Sequence, residues 1–243
     1  MNLRSRWARF QGSGIVRYQT AEMHKFTVKN QLARSASNMD HFTRIGPWVR
    51  TLAGVKILEL GCGPGRYIPL LRANGAQVVG VDPHCFESWT LLDEFDDVEL
   101  HSEVFAENLQ FADDSFDGIT CLGALLYFKN PSEALNEVLR VLKPGGGLLM
   151  RNPNVLNNQT RRTGQPLDPM GKNLYNEKEL IDLLETHGFK VSQSWSYGYW
   201  PSFFGRTWWW LVNGVISIGL QSRLSRLTPA THRVNIVVEA VKQ

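Results

Sequence analysis

The chain has 243 residues, 43% of them hydrophobic and 20% charged, the balance of an ordinary folded domain rather than a disordered or fibrous chain. A formal charge of +3, with no run of basic residues long enough to form a stripe, argues against a nucleic-acid partner. Cys62, Cys85 and Cys121 are too few and too scattered for a disulfide framework or a zinc site, so a reducing, cytoplasmic setting is expected.

The chain opens on MNLRSRWARF, with Arg4, Arg6 and Arg9 and no acid before Glu22. A transit peptide reads this way, and so does a solvated basic helix or arm. From residue 55 strand and helix patterns alternate. Val55–Leu60 is an apolar run suited to a strand covered on both faces, followed by a Gly-rich turn and a helical stretch with Ile68, Leu70 and Leu71. Gln77–Val81, Val98–His101 and Phe116–Cys121 read as further strands. Pro131 opens a helix whose apolar residues, Leu135, Val138, Leu139 and Leu142, recur at the spacing of one buried face. Lys143-Pro144-Gly145-Gly146 is expected to stop it, and Gly147–Met150 to start a fifth strand. Such alternation predicts a doubly wound α/β domain around a parallel sheet. Residues 152–173 are polar and rich in Asn, Pro and Gly, and read as a long loop. A helix at about 177–187, a strand at 189–197, an aromatic stretch at 198–220 and a closing strand at Val234–Val241 complete the pattern, with no internal repeat. No segment reaches the ~18 apolar residues of a spanning helix. WWWLVNGVISIGL at 208–220 comes nearest and is interrupted by Asn213, Gly214 and Ser217. The whole of 1–243 is expected to form one domain.

The chemistry concentrates in Glu59-Leu60-Gly61-Cys62-Gly63-Pro64-Gly65, between the first strand and the first helix. Glycines there let the backbone turn tightly and a ligand approach. At the end of the second strand stands Asp82, a carboxylate able to accept hydrogen bonds from both hydroxyls of a ribose. A dinucleotide site needs G-x-G-x-x-G, but Arg66 occupies the position of its third glycine. An acid facing the ligand, Glu59, would repel a pyrophosphate and suits the ammonium of a methionine moiety. The spacing therefore favours S-adenosylmethionine over a nicotinamide dinucleotide.

ILELGCGPG, VVGVDP, FADDSFDGI and EVLRVLKPGGGLL, in this order, resemble the class I (seven-stranded, Rossmann-like) S-adenosylmethionine-dependent methyltransferases, nearest to the group that methylates quinones, sterols and sugars. The likeness covers about 54–152 and, more weakly, 173–191. It implies a mostly parallel seven-stranded sheet whose last strand inserts antiparallel. It further implies an N-terminal helical lid over residues 1–50, a cofactor-binding core over 51–152, and substrate-side segments with closing strands over 153–243. By position, Glu59 would face the methionine end of the cofactor, Gly61, Cys62, Gly63 and Gly65 would pack against it, and Asp82, followed by Pro83, would hold the ribose. Ala106 would lie beside the adenine and Leu122 near the methionine part. Phe105 replaces an Asp common in the family, so that contact to the adenine amino group is lost or made by Glu107 or backbone.

Methyl transfer from a sulfonium is an in-line displacement, so the protein mainly positions the nucleophile and can remove its proton. Tyr127 occupies the place after the fourth strand where relatives can carry a His; it would orient an acceptor, or it packs beside Phe128. His24, His41, His84, His101, His187 and His232 show no metal-ligand spacing, and no metal site is expected. Between the last two strands an aromatic insertion gathers Trp200, Phe203, Phe204, Trp208, Trp209 and Trp210, with Arg223 and Arg226 beyond. It suits a membrane surface, a lid, or a homodimer interface. The resulting expectation is methyl transfer to a small or lipid-like acceptor, at oxygen before nitrogen or carbon. The alternatives are a non-catalytic S-adenosylmethionine-binding regulator or scaffold on the same fold and, opposed by Arg66, a nicotinamide-dependent oxidoreductase.

Overall fold

Runs such as KILEL and QVVGV bury almost every side chain, which only a strand covered on both faces permits. In the computed structural model, which describes residues 52–65, 67–92, 96–155, 172–199 and 233–243, these runs are the centre of a seven-stranded sheet. The strands are β1 (Lys56–Leu60), β2 (Gln77–Val81), β3 (Val98–His101), β4 (Phe116–Leu122), β5 (Leu142–Pro153), β6 (Phe189–Tyr199) and β7 (Arg233–Lys242), in the order β3-β2-β1-β4-β5-β7-β6. The first five run parallel, and β7 lies antiparallel to both β5 and β6. The expected fold is therefore present, antiparallel last strand included. The N-terminal lid and the aromatic insertion lie outside the described residues.

Alternate residues of each strand face two cores. One joins Leu58, Leu60, Val79, Ile119, Leu148 and Val238 to α2 (Pro131–Val141) and α3 (Glu177–Thr186). The other joins Ile57, Val78, Leu149, Trp195 and Val237 to α1 (Ile68–Ala73) and a 3-10 turn at Glu87–Leu91. Local chemistry starts the helices: the Asn130 side chain accepts from the Ser132 and Glu133 N–H groups ahead of Pro131, and Asn176 with Glu179 forms a reciprocal capping box.

Two elements differ from the sequence-based expectation. Lys143–Gly146 does not separate helix from strand, because β5 begins at Leu142, which pairs with Phe116. The glycine tract is absorbed as a register shift between Phe116 and Gly118, with Gly145 at φ 73°. Asn152 and Pro153 likewise extend β5 rather than opening the long loop. Helix alternation is also incomplete, since residues 102–115, between β3 and β4, contain no helix. Arg140 on α2 fastens that connection through the Leu109 and Phe111 carbonyls and the Asp113 carboxylate, while Glu137 accepts the Leu109 N–H. Among the described residues no helix is long and apolar enough to cross a membrane.

Candidate functional site

In an open parallel sheet a ligand crevice forms at the carboxyl ends of strands where the order reverses, here between β1 and β4. The glycine turn leaves β1 at this point. Gly61, at φ 68°, lies so close to the β4 connection that a Cβ would sit 2.3 Å from the Cβ of Ala124. The Gly61 and Cys62 N–H groups both donate to the Val81 carbonyl, the Gly65 N–H to the Cys62 carbonyl, and the Gly63 N–H to Oδ2 of Asp82. Pro64 has no N–H. The N–H groups of the turn from 61 to 65 are thus all engaged inside the protein, whereas a pyrophosphate cradle needs them directed at the ligand.

The acids beside the turn are buried. Glu59 is 2% exposed, and its Oε2 has no hydrogen-bond partner among the described residues. Burial pushes its carboxyl pKa up to about 8, with the Arg151 charge opposing that rise and the Asp82 charge adding to it. Asp82, 8% exposed, is also raised by burial, against the N–H groups of His84 and Gly63 that its two oxygens accept at 2.9 Å each. Asp82 therefore shapes the turn as well as facing the crevice. Cys62 and Cys121 are buried, and burial raises both thiols, Cys121 to about 12, so neither is a thiolate nucleophile at neutral pH.

The remaining expected residues differ in burial and in the contacts they make. Pro83 is half-buried beside Asp82, and Ala106 is buried behind Phe105, which is 44% exposed. The Lys129 ammonium lies 5.0 Å from the centre of the Phe105 ring. Oε1 of Glu107 accepts the Lys129 and Asn130 N–H groups, so this carboxylate braces the start of α2. Leu122 is the last residue of β4, not a residue beyond it. Tyr127, in a 3-10 turn at Leu125–Tyr127, is 50% exposed, and the adjacent Phe128 is half-buried. His24 and His41 lie outside the described residues.

Three contributors carry no sequence signature. Trp89 donates its indole N–H to the Gly63 carbonyl at 2.7 Å, and the Ser88 hydroxyl donates to the Pro64 carbonyl at 3.0 Å. Together they hold the turn from below. Arg151 on β5 reaches across β4, donating from Nη2 to the Leu122 carbonyl at 2.8 Å and from Nη1 to the Tyr67 hydroxyl at 3.0 Å. Beside the turn stand two buried acids, Glu59 with one oxygen unpartnered among the described residues and Asp82 with both oxygens accepting backbone N–H groups. Such a pair suits a ligand with a cation at one end and hydroxyls at the other.

A family model described as a methyltransferase domain matches residues 29–194. The chain belongs to the S-adenosylmethionine-dependent methyltransferase family. Within that family, a demethylmenaquinone methyltransferase from Clavibacter sepedonicus is 39% identical over 109 residues, 42% of this chain and 42% of that protein. A ubiquinone biosynthesis O-methyltransferase from Pseudomonas entomophila is 33% identical over 114 residues, 42% of this chain and 48% of that protein. A SAM-dependent methyltransferase structure from Aquifex aeolicus superposes with a TM-score of 0.60 at 16% identity, covering 93% of this chain and 100% of that one. The chain spans between 35% and 54% of the length of the first curated relatives it matches.

Proposed function

We propose that this chain transfers the methyl group of S-adenosylmethionine to a small-molecule acceptor, at oxygen in preference to nitrogen or carbon, and that the acceptor is lipid-like. The observation that carries the cofactor reading is the buried Glu59 oxygen without a partner, next to a turn whose N–H groups are already engaged. A cation fits there and a pyrophosphate does not. The quinone names of two relatives and the aromatic insertion support the acceptor class.

When bound, the cofactor supplies an electrophilic methyl group on a sulfonium. Glu59 would receive its ammonium, and Asp82 the ribose hydroxyls with the acceptor capacity left beside the Gly63 and His84 N–H groups. Gly61, Cys62, Gly63 and Gly65 would form the floor, with Pro83 at its edge, Phe105 and Ala106 beside the adenine, and Leu122 near the methionine chain. Tyr127, exposed at the carboxyl edge of the sheet, would orient the acceptor hydroxyl. A phenol of ordinary pKa near 10 positions a nucleophile better than it removes a proton.

The test pairs binding with turnover. Calorimetry should give micromolar-range binding of S-adenosylhomocysteine and none comparable for NAD. Labelled S-adenosylmethionine with quinol, phenol and amine acceptors should then yield methylated product. Tyr127→Phe should lower turnover about tenfold or more while cofactor affinity stays constant. Preference for NAD would end the cofactor reading. Tight cofactor binding with no product from any acceptor would favour a regulatory binder on this fold.

A further inference from the structure

Arg151 is remote in sequence from the glycine turn, yet the fold brings its charge to it. Leu122 pairs with Arg151 and Glu59 with Thr120, so strand alternation puts Glu59 and Arg151 on the same sheet face, with β4 between their strands. The guanidinium points back across β4 to the Leu122 carbonyl and to Tyr67, just past the glycine turn. Its carbon stands 5.8 Å from the centre of the Tyr67 ring. Gly123 makes this path available: it sits at φ 95°, and a Cβ there would be 2.7 Å from Nη2.

We propose that Arg151 is a positioning residue for the cofactor's amino-acid end: its guanidinium supplies a positive field that favours the charged form of the buried Glu59 carboxyl, the form that receives an ammonium. The inference rests on the S-adenosylmethionine reading. The groups whose charge acts on Glu59 oppose each other: Arg151 from β5 favours the carboxylate, and Asp82 from the end of β2 disfavours it. Cys62 from the turn and Cys121 from β4 are also coupled to Glu59, but both thiols are kept neutral by burial. Thr120 on β4 and Tyr67 before α1 bring hydroxyls, and His84 acts on Asp82 rather than on Glu59. Among the described residues Arg151 is thus the cation that offsets the cost of a charged Glu59.

Calorimetric titration of the full chain with S-adenosylhomocysteine from pH 6 to 9.5 tests this. Wild-type affinity should rise as Glu59 ionises, around pH 8. Arg151→Gln should displace that rise by at least about one pH unit and weaken binding about tenfold near pH 7. Arg151→Lys, which keeps the charge, should stay near wild type. In Glu59→Gln, with or without Arg151→Gln, only the ligand's own amine titration should remain, and that is common to all variants. Tyr67→Phe, which removes one anchor of the guanidinium and leaves its charge, gives a second probe should Arg151→Gln fold poorly, and its profile should shift the same way by less. An equal loss at every pH with an unmoved profile in Arg151→Gln or Tyr67→Phe would make Arg151 merely structural and overturn the proposal. Wild-type protein that binds no S-adenosylhomocysteine at any pH would instead overturn the cofactor reading on which it rests.

Discussion

A carboxyl group with an ordinary pKa of 4.5 that rises to about 8 on folding binds its proton more tightly in the native state than in the unfolded one. For Glu59 the stabilising contribution is complete below about pH 4.5. It is lost as pH rises towards about 8 and is constant above that. Glu59→Gln keeps the shape and abolishes the slope. The ligand-free variant should gain on the wild type between pH 5 and pH 8.5, by an amount on the order of several kcal/mol. Chemical denaturation at the two pH values measures this, and parallel stability differences would show that Glu59 is not the titrating group. The same substitution should abolish most cofactor affinity, so the site is held at some cost to stability. Glu59 and Asp82 were legible because their spacing about a glycine turn is local. Arg151, Ser88 and Trp89 were not, because each acts on a backbone carbonyl 24 to 29 residues away, which only the folded sheet brings near.

Between β2 and β3 lies the 3-10 turn at Glu87–Leu91, and its Ser88 and Trp89 hydrogen-bond to carbonyls of the glycine turn. Trp89→Phe keeps an aromatic ring in the core and deletes the donor to the Gly63 carbonyl. An unpaired buried acceptor costs about 1–3 kcal/mol. A fall in melting temperature of about 2–10 °C should follow, with a several-fold loss of S-adenosylhomocysteine affinity. If stability falls and affinity does not, the turn keeps its shape without the indole. Strands β1, β2, β4 and β7 could be read from apolar runs, since burial on both faces leaves little room for polar residues, whereas β3 (VELH) and β6 (FKVSQSWSYGY) carry exposed polar positions. The start of β5 could not: a Lys-Pro-Gly-Gly-Gly tract looks like a break, and the register shift opposite Gly118 keeps it in the ladder. The connection between β3 and β4, where no helix was read from the sequence, is instead held by the Glu137 and Arg140 side chains of α2.

For the molecule as a whole, the sheet order reverses between β1 and β4, where a cofactor would lie, and the proposed acceptor class is tested through the aromatic insertion. In the aromatic insertion, tryptophans precede an apolar run and Arg223 and Arg226 follow it. If it meets a lipid surface, the chain should co-sediment with anionic vesicles at low salt and less at high salt. Each arginine contributes about 1 kcal/mol near such a surface. Arg223→Ala with Arg226→Ala should reduce the binding, and Trp209→Ala with Trp210→Ala should weaken it at any salt, because that contribution is apolar. Indifference of the wild type to vesicles of every composition would leave the lipid-like acceptor without its main support.

The antiparallel insertion of β7 between β5 and β6 also sets an order of events in time. On the ribosome β6 is made well before β7, yet among the described residues β7 is its sole neighbour in the sheet. Until then β6 and the free side of β5 are open edges, the kind that invite pairing with another chain. The five parallel strands pair among themselves without either of them, although Trp195, Val237 and Val238 complete both of the cores those strands share. The newly made protein is therefore most open to misassembly in the interval before β7 closes the gap between β5 and β6.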